Sequence, residues 1–368
     1  DTFVLATVDN VTQLKANDIV FEDLNTTIDA GDNGTGSDKL TSDFDATLAG
    51  AAKALISNGF TFKNIETADL NTKALTGTDA SETFTFTDAN TFNVNDISFT
   101  DVATVVAGVA DSIVDTVKTA GNKAELTGAN NELEVSGITF QSIDVVDLAG
   151  VNESGEVDNG SLSGSSKADI FVLATVESET QLKANGIVVN NSNTTIDAGA
   201  NGMGSDKLTS DFDATLTEAN NALISNGFRF QNIETADLNT KALTGSGSAD
   251  TFVLATVDNA TQLKANDIVF EDINTTIDAG TNGTGSDKLT SDFDATLAGA
   301  AKALISNGFT FQNIETADLN TNSLKGSDSA DTFVLATVDN VTQLKANDIV
   351  FEDLNTTIDA GDNGTGSD

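Results

Sequence analysis

The chain has 368 residues, 57 acidic and 17 basic, for a net charge of −40. It holds no cysteine, histidine, tryptophan, tyrosine or proline, and its single arginine is Arg229. That composition excludes disulfides, thiolate zinc sites and imidazole catalysis, and its charge opposes nucleic acid and anionic membrane as partners. No segment is long and apolar enough to span a bilayer as a helix. Yet 39% of residues are hydrophobic and they cluster in short runs, so the composition is that of a folded chain.

In chain order, the first element is a strand over 2–6, TFVLA, apolar in alternation. Residues 8–18, VDNVTQLKAND, read as a helical turn, and 19–24, IVFEDL, as a second strand. The stretch 33–41, NGTGSDKLT, sets two glycines around a small residue with an aspartate two positions on. Residues 43–59, DFDATLAGAAKALISNG, place Leu48, Ala51, Ala52 and Leu55 on one helical face. Asp43 or Asp45 stands at the start of that helix as a cap, and Asn58-Gly59 at its end. Strands follow at 60–65, FTFKNI, and 73–76, KALT.

The same order then recurs. Units begin at Asp1, Glu82, Asp169, Asp250 and Asp331, at spacings of 81, 87, 81 and 81 residues. Residues 1–72 and 250–321 differ at four positions, Val11/Ala260, Leu24/Ile273, Asp32/Thr281 and Lys63/Gln312. The units are 1–81, a divergent 82–168, 169–249, 250–330 and a partial 331–368. Residues 1–38 are identical to 331–368, which implies a super-repeat of 330 residues and a chain that is a window on a longer array. Inside each unit, KANDIVFEDLNTTIDAG (15–31) resembles ISNGFTFKNIETADLNT (56–72), so the smallest repeat is a half-unit of about 40 residues.

Short strands in regular units that bury little alone point to a mainly β chain. The expected fold is a parallel β-solenoid of roughly 81-residue repeats with short helical insertions. The alternative is a row of independent β-sandwiches, which ordinarily carry a packed tryptophan or tyrosine.

NGTGSDKLT resembles the hemolysin-type calcium nonapeptide, G-G-x-G-x-D-x-U-x. Asn33 stands at the first glycine, and Gly34, Gly36, Asp38 and Leu40 fall on the remaining positions. Gly202, Gly204 and Asp206 repeat the pattern, as do Gly283, Gly285 and Asp287, and Gly364, Gly366 and Asp368. A looser echo, TGSGSADTFVL, offers Gly245, Gly247 and Asp250. The resemblance implies Ca2+ held between stacked turns, with carbonyls and aspartates as ligands. It departs from the family in that the loop occurs once per 81 residues rather than in tandem. The structural alternative is a bend in which Gly-x-Gly turns the chain and Asp38 satisfies turn amides.

Paired carboxylates such as Asp43/Asp45, Asp211/Asp213 and Asp292/Asp294 are present in copies, which suits caps better than an active site. Lys15, Lys39 and Lys53 are placed to pair with nearby acids, and Asn25 is the most plausible glycan acceptor. The expected function is non-enzymatic. It is a secreted, extracellular cell-surface scaffold (an adhesin stalk, matrix filament or surface-layer component) rigidified by calcium. Its expected partners are further copies of itself, head to tail or lateral, and a polysaccharide or cell surface. The alternative is a calcium-dependent folding and export region of a secreted enzyme or toxin.

Overall fold

The computed structural model describes residues 1–21, 26–31, 36–108, 113–151, 157–200, 204–281, 285–338, 341–353 and 358–361. Among them, every regular element is a β-strand. The chain divides into two compact units, Asp1–Asp169 with Gln181–Gly204, and Ile170–Thr180 with Ser205–Asp368.

The second unit shows the repeat most plainly. Thr251–Val257, Ala260–Ala265 and Ile268–Glu271 form an antiparallel meander. The chain crosses to a second ladder at Thr276–Asp278 and returns to the first at Lys288–Ser291. It crosses again into another meander, Ala295–Leu297, Leu304–Ser306 and Phe309–Gln312. Thr316–Asp318 then lies on the first ladder and Leu324–Lys325 on the second. Parallel pairing ties Thr251–Val257 to Lys288–Ser291 and on to Thr316–Asp318, and Thr276–Asp278 to Phe309–Gln312. Each ladder therefore carries one meander and two single rungs per repeat. The half-unit repeat of the sequence is this pattern with the two ladders exchanged.

The ladders face each other across one core. Leu254, Leu289 and Ala317 from the first, and Ile277, Leu297, Phe311 and Leu324 from the second, are at most 1% exposed. Phe252 and Phe311 meet edge to face across the gap, ring centroids 6.0 Å apart. This is a flattened parallel β-solenoid with antiparallel meanders spliced into its rungs, as the repeat pattern predicts.

The first unit follows the same plan. Phe3 meets Phe62 edge to face at 6.2 Å. Here Thr67–Thr76 is one continuous strand that serves both ladders, pairing with Lys39–Thr41 at one end and with Ala46–Thr47 at the other. The divergent repeat packs a phenylalanine cluster, Phe84, Phe86, Phe92, Phe99 and Phe140, each at most 2% exposed.

Both helical expectations fail among the described residues. Residues 43–59 form Ala46–Leu48 and Ala54–Ser57, paired antiparallel with Leu48 opposite Leu55. The seven-residue spacing of those two leucines fits a helix face, but it fits a hairpin cross-strand pair equally well. Asn58 and Gly59 do not end a helix. They form a two-residue turn with φ of 46° and 81°, which the right-handed twist of a hairpin demands and which asparagine and glycine tolerate. Residues 8–18 likewise form the strand Val11–Ala16 between two such turns, Asp9-Asn10 and Asn17-Asp18, all four at positive φ.

Asp43 and Asp45 are accordingly not helix caps. Asp43 Oδ1 accepts the Asn71 side-chain amide at 2.5 Å and Asp45 Oδ1 the Ala74 N–H at 3.0 Å. The same bonds recur from Asp292 to Asn320 and from Asp294 to Ser323. These pairs stitch one rung to the next.

Candidate functional site

The glycine–aspartate loop joins a rung of the second ladder to a rung of the first, and its aspartate immediately precedes the strand. Asp38, Asp206 and Asp287 are fully buried. In the second unit, Asp287 Oδ1 accepts the Asp250 N–H at 2.7 Å, and the Asp287 N–H donates to Glu315 Oε2 at 2.8 Å. Because Thr251 pairs with Lys288 and Lys288 with Thr316, these acids occupy one register on three successive rungs. The first unit repeats the column. The Asp1 amino group binds Asp38 Oδ1, and the Asp38 N–H donates to Glu66 Oε2 at 2.8 Å. Each carboxylate thus satisfies a backbone donor one rung away, which is what a buried carboxylate needs in the absence of water.

Lysine or asparagine closes the column from outside. Lys53 reaches Glu66 at 2.9 Å and Lys302 reaches Glu315 at 2.6 Å, while Asn221 stands in that place beside Glu234 at 3.4 Å. Lys39 pairs with Asp69 at 3.4 Å.

The predicted metal glycines separate into three groups. Gly34, Gly202, Gly283, Gly364, Gly366 and the aspartate Asp368 lie outside the described residues. Gly204 and Gly285 are glycines for want of room: a Cβ at Gly285 would stand 2.4 Å from the Ala249 nitrogen, and one at Gly204 2.5 Å from that of Ala168. Gly245 belongs with them, since a Cβ there would stand 2.0 Å from the Ala279 carbonyl oxygen, whereas Gly36 and Gly247 meet nothing within 4 Å.

The Asp250 carboxylate gathers three donors. Its Oδ2 accepts the Ser246 N–H at 2.6 Å, and its Oδ1 accepts the Ser246 hydroxyl at 3.0 Å and the Asn266 amide at 2.5 Å. Asp331 is held in the same way by Ser327 and Asn347, and Asp169 by Ser165 and Asn185. These carboxylates thus serve as acceptors that tie a serine turn to an asparagine turn. Asp38 differs: its Oδ2 is buried with no hydrogen-bond partner. Among the described residues, no group of three or more acids is arranged to hold a metal.

The asparagine clamp went unread in the sequence. Asn266 sits at φ 43° in a hairpin turn, accepts the Thr251 N–H at 2.9 Å on Oδ1 and donates to Asp250. Its trace in the sequence is the fixed spacing of Asp1/Asn17, Asp169/Asn185, Asp250/Asn266 and Asp331/Asn347. Calcium-loop logic draws attention to the glycines and away from this pair.

No family model, curated protein or solved structure matches this chain.

Proposed function

We propose that this chain is a non-enzymatic structural array, the repeat region of an extracellular surface filament, matrix fibre or adhesin stalk. One observation supports it above the rest. The buried acids and the Asp–Asn pairs of each repeat bond one strand to its neighbours, and the ring contacts close the core between the two ladders, so what the fold supplies is length. Near-identity between units supports the same reading, since a spacer needs its units alike. Its partners in this reading are further copies of itself and a polysaccharide or cell-surface ligand.

The geometry sets the increment. Each ladder gains five strands per 81-residue repeat, as in the step from Ile268–Glu271 to Ile349–Glu352. At about 4.8 Å per strand, one repeat adds about 24 Å. Chains with one, two and three added copies of residues 250–330 should therefore lengthen in equal steps of about 24 Å by small-angle scattering or electron microscopy. Lengths that grow irregularly, as for beads on flexible joints, defeat the scaffold reading.

Calcium belongs to this proposal at the Asp38 type of loop and not at the Asp250 type. Calorimetry should show saturable binding that Asp287→Asn reduces by one site. Calcium binding unaffected by Asp287→Asn, or absent altogether, removes the ion from the proposal and leaves the scaffold standing.

A further inference from the structure

The divergent repeat carries the same acid column with a glutamate at its head, and its middle aspartate, like Asp38, keeps a buried Oδ2 with no hydrogen-bond partner. Glu82 takes the place of Asp250, Asp115 that of Asp287 and Asp144 that of Glu315. The Glu82 N–H donates to Asp115 Oδ1 at 2.8 Å, and the Asp115 N–H to Asp144 Oδ2 at 3.0 Å. Residues 108–115, GVADSIVD, have lost the Gly-x-Gly of 31–38, GDNGTGSD, so the calcium motif is missing here. Glu82 Oε1 accepts the Thr78 N–H and hydroxyl, both at 2.6 Å.

Two oxygens remain. Asp115 is fully buried and its Oδ2 has no partner; Glu82 is 3% exposed and its Oε2 has none either. Glu82 Oε2 lies against Gly77, where a Cβ would meet it at 2.2 Å, with the Ala107 Cα on the other side. Among the described residues, the charged groups that bear on Asp115 are Glu82 on one neighbouring rung and Asp144 on the other, both acids. An ionised, half-satisfied carboxylate between two like charges in a water-poor core is costly, and taking up a proton removes the buried charge, the larger part of that cost.

We propose that Asp115 is carried as a neutral carboxylic acid in the folded array, which makes the divergent repeat a proton-sensitive seam. The proton comes from solvent, settles on Oδ2 and cancels the buried charge; no other bond changes. Burial, and then the charges of Glu82 and Asp144, push the Asp115 carboxyl above the usual carboxylate range against the backbone donor of Glu82. The folded group therefore binds its proton more tightly than the unfolded one. Its stabilising contribution is complete below the ordinary aspartate value and is lost as the pH rises through the raised one. This is opposite in sign to a salt-bridged carboxylate. A filament joined through this repeat is tightest in acid and loosens toward alkaline conditions.

The test is thermal unfolding of the whole chain and of D115N, which keeps the Oδ1 acceptor for the Glu82 amide, at about pH 4 and about pH 8. The expected result is a melting temperature a few degrees above wild type at the higher pH, with the gap closing at the lower. Glu82→Gln, by removing one like charge, should move the pH at which the gap opens to a lower value. An infrared band of a protonated carboxyl, present in wild type and lost in D115N, gives a second readout. A D115N effect of either sign that is the same at both pH values overturns the proposal. So does a gap that calcium abolishes and EDTA restores, because a cation would then be doing the neutralising.

Discussion

Phe140→Ala should unfold the divergent repeat while the repeats of the second unit keep their protection. The Phe140 ring lies 5.7–5.8 Å from Phe84, Phe86 and Phe92, and all four are at most 2% exposed. Truncating a buried phenylalanine to alanine costs about 3–5 kcal/mol through lost transfer energy and the cavity left behind. Three ring contacts are lost with it, each contributing roughly 0.5–1.5 kcal/mol beyond area. In a stacked array stability is a sum of unit and neighbour terms, so a loss of this size is felt locally first. Hydrogen exchange is the readout. Amides of Thr83–Asp88, Ile97–Val106 and Ile138–Gln141 should exchange freely, and those of Lys288–Ser291 and Thr316–Asp318 should stay slow. Phe309→Ala, at a half-buried position with one ring contact, to Phe311, should have a smaller effect. Uniform loss of protection along the whole chain would mean that the array unfolds as one cooperative body, and the local account fails.

The contrast between Phe140 and Phe309 also shows what the sequence discloses. Strands such as Thr2–Val8 and Phe60–Lys63 were legible because apolar residues alternate and asparagine turns bound them. The solenoid was legible because such strands recur at a fixed period that no single sandwich requires. Residues 43–59 misled because alanine and leucine at helical spacing carry a real local preference, and pairing with the neighbouring rungs overrode it. Leu48 and Leu55 satisfy both templates, and only the partner strand Phe60–Lys63 decides between them. The turn dipeptides were the better signal: Asn17-Asp18 and Asn58-Gly59 each sit between apolar runs, as hairpin turns do. The acid column was half legible. A repeated aspartate after Gly-x-Gly is visible, but its partner Glu315 lies 28 residues on and is recognisable only once the rungs are stacked. Lys288 and Thr316 being rung neighbours is a fact of register, which composition and local motif do not encode.

Register is also what gives Asp250 its weight. Asp250→Ala should cost several kcal/mol, at about 1–3 kcal/mol for a buried donor left without its partner. The substitution strands the Ser246 N–H, the Ser246 hydroxyl and the Asn266 amide together, all of which converge on that carboxylate. Asn266 then loses the bond that fixes its side chain while it also holds the Thr251 N–H, so the hairpin turn loosens with the rung. Asp250→Asn should be nearly as damaging, since an amide turns an NH2 toward a donor in either orientation. The double change Asp250→Asn with Asn266→Asp exchanges donor and acceptor. It should recover part of the loss as a coupling of about 0.5–3 kcal/mol in urea unfolding. Calcium provides the decisive control. If the Asp250 carboxylate serves the hydrogen-bonded clamp, the Asp250→Ala loss is equal in calcium and in EDTA. A loss confined to the calcium arm would identify Asp250 as a ligand, and the looser Gly245–Asp250 loop would join the Asp38 type as a metal site.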